Sequence, residues 1–469
     1  MANYRTAPAS ITGMPKGIPY ILGNELAERF SFYGMKAILT VYMTKHLMDA
    51  AGQPDFMGDE EAKSVYHLFT AAAYFFPILG SLLADVLLGK YRTILVLSLG
   101  YCIGHAFLAM GDTGAGAALL SPRGWLFLGM AFIAVGAGGI KPCVSAHLGD
   151  QFGPKNSGLI SKVFAWWYFS INVGAATSTL LTPWLLENKG AWAAFGLPGV
   201  LMALATLTFW IGRNKFVHIQ PAGWKKFKEE SFSPDGLRSL KNLTPLFLIF
   251  IPMFWAIFDQ TGSAWVIQAE YMDRHFLGVE WLESQIQAAN PIMILLLIPT
   301  FTYAIYPAMG RFFEPTPLRR IGIGLFLTAA AFGLTGMLQA QIDAGGEPNI
   351  GWQLVAYLLL TSGEVLVSIT SLEFAYTQAP RKMKSFIMGV YFLGVSFGNL
   401  FTSGVNQLMT GDDPMLTLDG ADYYWFFTGL MLVVAVIYVV FAKTYKGSTF
   451  VQEAMTPLEA GETEGDLKE

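Results

Sequence analysis

Twelve apolar runs, each long enough to cross about 30 Å of hydrocarbon at 1.5 Å per residue, recur along the 469-residue chain with short polar breaks. They fall near 18–46, 62–89, 91–111, 123–147, 158–186, 191–212, 243–268, 287–310, 317–341, 351–379, 384–409 and 422–442. In lipid every backbone polar group must be satisfied within the segment, so runs of this length are helices. Charged residues make up only 14% of the chain against 53% apolar, where a soluble domain carries about 25% charge. The expectation is an all-α polytopic membrane protein. The first 16 residues hold no apolar run of signal-peptide length, so the first helix is expected to stay uncleaved.

Loop charge sets the orientation. With the N-terminus in the cytoplasm, Lys90, Arg92, Lys155, Lys162, the Arg213 to Lys241 stretch, Arg311, Arg319, Arg320, Arg381, Lys382, Lys384, Lys443 and Lys446 lie inside. Outside remain Lys45, Lys63, Arg123, Lys189 and Arg274, among acids such as Asp59, Glu60, Glu61, Asp412 and Asp413. An even helix count returns both termini to the cytoplasm. The longest break, residues 213–242, is basic through Lys225, Lys226, Lys228, Arg238 and Lys241, as suits a linker lying on anionic lipid. It separates a six-helix half over 1–212 from another over 243–445, and an acidic tail follows over 446–469. Two bundles around a midplane site is the layout of a secondary transporter.

Several chemistries drop out. The net charge of −4 and the lack of a basic stretch interleaved with aromatics exclude nucleic acid as a partner. Cys102 and Cys143 sit in apolar runs without metal spacing. No phosphate-binding loop or catalytic constellation is present, so no enzyme activity and no cofactor is expected.

Charges inside apolar runs cost about 2.5 to 3.5 kcal/mol each and persist where they are paired or solvated by a cavity. On the first helix Glu25, Glu28, Arg29, Tyr33 and Lys36 share one stripe. Two acids beside an arginine make either a group that trades protons or a static ion pair. Lys141, Asn172, Asp259 and Glu364 are isolated polar groups on four other helices. Lys141 and Glu364, one from each half, suit the two ends of a zwitterion, and a structural lysine bonded to a carbonyl is the alternative. Trp265, about two turns beyond Asp259 on a cavity helix, would wall a side-chain pocket. Gly136, Gly138 and Gly139 suit close helix contact. His105 and His147 are read as structural.

These residues resemble the signatures of the proton-coupled oligopeptide transporters of the major facilitator superfamily. Glu25 to Tyr33 matches E-x-x-E-R-F-x-Y-Y with Phe32 in place of the first tyrosine; Gly139-Ile140-Lys141-Pro142 leads to Gly149-Asp150-Gln151-Phe152; and Tyr168-Phe169-Ser170-Ile171-Asn172-Val173-Gly174 follows. Gly80 to Arg92, with Asp85, Gly89 and Lys90, resembles the superfamily loop between helices two and three, a brace at the cytoplasmic face. The resemblance implies proton coupling through Glu25, Glu28 and Arg29. It implies a peptide site of Tyr33, Tyr74, Lys141, Asn172, Asn290, Glu364 and Ser368, with Glu364 at the amino terminus and Lys141 or Arg29 near the carboxylate. It also implies a gate salt bridge between Lys36 and Asp259. The Phe32 departure touches side-chain preference. Tyr66-His67 resembles a pair linked to proton coupling in relatives; a buried histidine bonded to backbone is the other reading.

The implied function is proton-driven symport of di- and tripeptides by alternating access, as a monomer in the lipid bilayer. A carrier of nitrate or another small solute and a transport-deficient peptide sensor are the alternatives. The short turn near 342–350 lacks the extracellular insert of animal members, which points to a bacterial inner (plasma) membrane.

Overall fold

The computed structural model describes residues 4–445 apart from 222, 226–227, 229–233 and 379–383. The acidic tail at 446–469, Arg381, Lys382 and part of the basic linker therefore lie outside the described residues. Twelve long helices are present among those described. They are α1 (Ile18–Val41), α2 (Asp59–Leu88), α3 (Lys90–Met110), α4 (Pro122–Gly149), α5 (Ile160–Lys189), α6 (Ala191–Ile211), α7 (Lys241–Glu270), α8 (Gln285–Met309), α9 (Pro317–Asp343), α10 (Gly351–Ala375), α11 (Lys384–Leu408) and α12 (Ala421–Thr444). Nine of them are long and apolar enough to cross a membrane by length and composition. The other three, α1, α5 and α11, carry polar side chains described below. The protein is a multi-pass membrane protein.

Sequence punctuation explains several boundaries. Ser121 and Thr316 accept hydrogen bonds from Gly124 N and Arg319 N, and a proline follows each at the first helical position, where its missing N–H costs nothing. Between α7 and α8 a two-residue turn, Leu277 and Gly278, both at positive φ, closes the hairpin of β1 (His275–Phe276) and β2 (Val279–Glu280).

Two large apolar cores form among the described residues, beside a smaller cluster of Ile294, Phe301, Val365 and Leu366. One draws on residues from Ile18 to Phe216 with Val266, the other on residues from Leu243 to Tyr438. In the first half α1 packs on α5 and α6, and α3 on α4 and α6; in the second, α9 packs on α10 and α12, and α7 on α11. Helices α2 and α11 pack on each other across the halves, as do α5 and α8.

The approach of α2 to α4 depends on glycine. A Cβ on Gly80 would come 2.4 Å from the Gly139 carbonyl oxygen, and one on Gly138 would come 2.7 Å from that of Ala73. Backbone cannot yield as a flexible side chain does, so Gly80→Val is expected to lower stability by about 3 kcal/mol. Thermal unfolding in detergent reads this as a fall in Tm, with Gly100→Ala, whose Cβ meets nothing within 4 Å, unchanged. Where α2 gives way to α3, Gly89 takes a φ of +77° and Lys90 Nζ bonds Asp150 Oδ2 at 2.7 Å. That ties the α2–α3 connection to the end of α4.

Candidate functional site

The stripe on α1 is buried. Arg29 Nε donates to Glu25 Oε1 at 2.7 Å and lies 3.0 Å from Glu28 Oε2. The i, i+4 spacing aligns the first pair, whereas the adjacent Glu28 is within ion-pair distance without a hydrogen bond. Both Glu28 oxygens are buried and accept none among the described residues. One turn further, Phe32 points at α4. Its ring and that of Tyr74 each stand 4.0 Å from Lys141 Nζ, an ammonium that is 7% exposed and has no hydrogen-bond partner among the described residues. Ring quadrupoles hold a cation where polar partners are absent. The phenylalanine that departs from the signature therefore keeps the face needed by Lys141 and lacks only a hydroxyl.

The second half's acid is Glu364, at the end of the first stretch of α10. Asn290 Nδ2 donates to Glu364 Oε2 at 2.7 Å and to Thr361 Oγ1 at 3.2 Å. The hydroxyls of Tyr33 and Tyr74 lie in the field of both Arg29 and Glu364, and that of Tyr168 in the field of Glu364. Tyr33 and Tyr74 thus each feel a positive group of the first half and a negative group of the second. Ser368 Oγ is 3.4 Å from the Tyr391 hydroxyl, and Asn172 bonds back to the Tyr168 carbonyl at 2.9 Å.

Trp265 corrects the sequence reading. It is fully buried in the second core, edge-on to Tyr357 at 4.9 Å and beside Phe332 at 6.3 Å, so it walls no pocket. Two turns beyond Asp259 presumed a continuous helix. Residues Asp259–Gly262 instead form a tighter 3₁₀ turn, and Ser263 leaves helical geometry at φ −128°, ψ −90°, which rotates every later side chain.

That break is where the halves are tied. Lys36 Nζ meets Asp259 Oδ1 at 2.6 Å. The other Asp259 oxygen accepts from Asn399 Nδ2 at 2.8 Å, and Asn399 Oδ1 lies 2.8 Å from His67 Nδ1. Because the Asn399 amide turns its NH₂ to a carboxylate, its oxygen faces the imidazole, and His67 Nδ1 carries the proton. His67 Nε2 is 2.9 Å from Ser263 Oγ. The histidine is thus buried and bonded at both ring nitrogens, to side chains of the other half and not to backbone.

Around this chain Thr40 Oγ1 donates to Gly262 O, Gln287 Nε2 to Ala37 O, Gln285 Nε2 to Leu180 O, Ser403 Oγ to Ser64 O, and Ser396 Oγ to Ala71 O. Among the described residues, side-chain hydrogen bonds between the halves use the N-terminal parts of α2 and α8, together with α1 from Lys36 onward, α5 at Leu180, α7 from Asp259 onward and α11 from Ser396 onward. Each of the last four lies toward the C-terminal end of its helix. The halves are closed at that end.

A second ion cluster caps the closure. Lys45 Nζ lies 2.7 Å from Glu283 Oε1 and 3.1 Å from Glu270 Oε1, and Arg274 bonds the other Glu283 oxygen at 2.5 Å. Burial by itself pushes the Glu283 carboxyl up, but the Lys45 hydrogen bond and the charges of Lys45 and Arg274 outweigh it and hold the group below the usual carboxylate range. A depressed value means the ionised form is favoured in the closed state. The tie of Glu283 to Lys45 and Arg274 is therefore at full strength above the ordinary value of about 4.3, and it weakens only as pH falls below that. Spin labels at the ends of α1 and α8 should report an unchanged closed distance between pH 7.5 and 5 and opening below pH 4. In Glu283→Gln the closed population should be smaller at pH 5 and above, and the difference from wild type should fade as the pH falls below 4.

Comparison with known proteins decides the family. The family model described as "POT family" matches residues 91–233 and 224–426. The crystal structure of the POT family transporter PepTSo superposes with a TM-score of 0.80 at 33% identity, over 92% of this chain and 99% of that one. The chain belongs to the POT family. It is also similar to peptide transporter family 1 of Drosophila melanogaster, 36% identical over 70% of this chain and 48% of the relative. Solute carrier family 15 member 1 of Homo sapiens is 33% identical over 71% of this chain and 53% of the relative. The chain spans about half the length of these curated animal relatives.

Within the POT family frame, the three signature segments read from sequence fall on α1, α4 and α5, and the structure brings Phe32, Lys141 and Tyr74 into one contact. Sequence reasoning missed Asn399, Ser263, Gln285, Gln287 and the Ser64–Ser403 pair. All are uncharged, and only charges in apolar runs were weighted fully. Asn399, in Gly398-Asn399-Leu400-Phe401, carries the same polar-in-apolar signal as Asn172 and was legible by that rule.

Proposed function

We propose that the protein imports di- and tripeptides in symport with protons, by alternating access of the halves 1–212 and 243–445 around the site between Lys141 and Glu364. The observation that carries this is the pair of unlike charges: a buried ammonium on one half that, among the described residues, rests on aromatic faces without a hydrogen bond, and a carboxylate held by Asn290 on the other. A zwitterion with its amine at Glu364 and its carboxylate at Lys141 or Arg29 satisfies both. Tyr33, Tyr74, Asn172 and Ser368 line the space between.

In this reading Glu25, Glu28 and Arg29 exchange the proton. Protonation of a carboxyl weakens its hold on Arg29, which frees the guanidinium for the peptide carboxylate. The chain from Lys36 through Asp259 and Asn399 to His67 is the outer gate. Its bonds close the end that loop charge places outside, so the site opens to the cytoplasm, where both termini lie. His67 joins proton movement to gating, because a proton added at Nε2 turns Ser263 from donor to acceptor. The seven residues 344–350 between α9 and α10 hold no extracellular insert, which supports a bacterial plasma membrane. Monomeric action follows from a site complete within one chain.

Labelled dialanine offered to proteoliposomes with and without an inward proton gradient tests the proposal. Gradient-dependent accumulation blocked by dipeptides and tripeptides, and not by alanine or nitrate, is the expected result. Binding without accumulation would indicate a sensor, and competition by nitrate alone would indicate another cargo.

A further inference from the structure

Behind the acid cluster, on the side of α1 away from Tyr33 and Glu364, the first half encloses a second set of polar groups. Asn24 is fully buried, and neither its amide nitrogen nor its oxygen has a hydrogen-bond partner among the described residues. One turn on, the two Glu28 oxygens are in the same condition. On α3 the Ser98 Oγ, the Tyr101 hydroxyl and His105 Nε2 are all buried and without a hydrogen-bond partner among the described residues. Spacings of three and four place these three on one face of α3, as a spacing of four does for Asn24 and Glu28 on α1.

Helix α6 sets the relative height of the two rows. Ser31 Oγ of α1 donates to Pro198 O at 2.7 Å, while His105 Nδ1 of α3 bonds Phe195 O, three residues earlier on α6, at 3.2 Å. At 1.5 Å per residue Ser31 therefore stands about one turn below His105, level with Tyr101. Both helices run the same way, so stepping back one turn brings Glu28 level with Ser98, one turn from Tyr101, and Asn24 follows one turn further on α1. The electrostatics agree: the charges acting on the Tyr101 hydroxyl are first Glu28, then Arg29, then more weakly Glu25. The Tyr101 ring is fixed by its stack on His105 at 5.2 Å and by the close passage of Gly136.

An amide can take part in four hydrogen bonds and a carboxylate can accept about four. Buried groups of this kind in native proteins are satisfied, and where protein supplies no partner, ordered water does. We propose that Asn24, Ser98 and Tyr101 form a bound-water site against Glu28, and that its water, not the peptide cavity, is the immediate proton partner of that carboxyl. The proposal rests on the coupling role of Glu28 given above. The step is a transfer from the Glu28 carboxyl to a water oxygen, leaving a carboxylate and a hydronium whose charge moves on to the next water. Glu25 and Arg29 on α1, Lys141 on α4 and His105 on α3 are the other titratable or charged groups around it. Tyr101 and Ser98 are positioning residues: they hold the water, not the peptide.

Two measurements test this. Brief radiolysis of the reconstituted protein oxidises tyrosines that touch bound water, so buried Tyr101 should be labelled while Tyr357, equally buried and bonded to Thr261 O, should not. A Tyr101 as unreactive as Tyr357 would overturn the water site, whatever the protein transports. Driven uptake of dialanine is the second. In Tyr101→Phe and Ser98→Val its maximal rate should fall at least about tenfold with KM unchanged, while peptide-for-peptide exchange falls less than about twofold, and Ser98→Thr should restore the rate. Equal loss of both modes, or loss of neither, would overturn the proton role. A wild-type protein that accumulates no peptide but labels at Tyr101 would instead fail the symport reading and leave the water site standing.

Discussion

In Glu28→Gln, accumulation of dialanine driven by a proton gradient is expected to vanish while exchange of internal for external peptide continues. Each charge moved across 100 mV is worth about 2.3 kcal/mol, which converts to a concentration ratio of about fifty for one proton per peptide. The variant should fall from that ratio to unity. The reason lies in the geometry. Glu25 is tied to Arg29 by an aligned hydrogen bond, whereas Glu28 sits 3.0 Å from the guanidinium with both oxygens unbonded among the described residues. Glutamine keeps the volume and cannot gain or lose a proton in this range. Exchange needs the halves to rock with peptide bound, not a proton to be released. Driven accumulation at the wild-type ratio in Glu28→Gln would remove this residue from the coupling step.

Lys141→Ala is the second large effect. Its ammonium lies between Phe32 and Tyr74 with no hydrogen bond of its own among the described residues, and the peptide carboxylate is its proposed partner. A charge-assisted hydrogen bond contributes about 1.5 to 3 kcal/mol, so dialanine binding should weaken roughly ten- to a hundredfold. Loss of packing alone can also weaken binding, and a second ligand separates the two. Dialanine amide, which lacks the carboxylate, should bind the wild-type protein much more weakly than dialanine does. To Lys141→Ala the two should bind alike. If the variant still favoured dialanine by the full wild-type factor, the carboxylate would be held elsewhere, with Arg29 the candidate.

The three weaker predictions probe other layers of the same molecule. Gly80→Val tests the helix approach that forms the first half, Glu283→Gln tests the outer clamp, and the Tyr101 and Ser98 variants test what lies behind the acid cluster.

Much of this was legible in the amino-acid sequence because lipid imposes a simple rule. A segment that crosses hydrocarbon must be helical and about twenty residues long, so the twelve runs and their boundaries follow from composition alone. The cost of charge in lipid likewise marked Glu25, Glu28, Arg29, Lys36, Lys141, Asp259 and Glu364 before any fold was known, and signature spacing pointed to the family. What sequence could not supply was helix phase and partnership. Trp265 was misplaced because a 3₁₀ turn at Asp259–Gly262 interrupts the count, and such a turn is set by the packing around it. His67 has either of two meanings until α11 lies beside α2; then Asn399 and Ser263, more than 190 residues away in the chain, fix its proton. Phe32 reads as a missing hydroxyl until Lys141 is seen resting on its ring. Asn24 carries the same polar-in-apolar signal as Asn399, but the row it forms with Ser98 and Tyr101 is informative only once its neighbours, among the described residues, are known to leave it unsatisfied. Local chemistry determined the helices and the charges they carry; only tertiary contact decided which charges meet, because that depends on distances between segments that lie far apart in the chain.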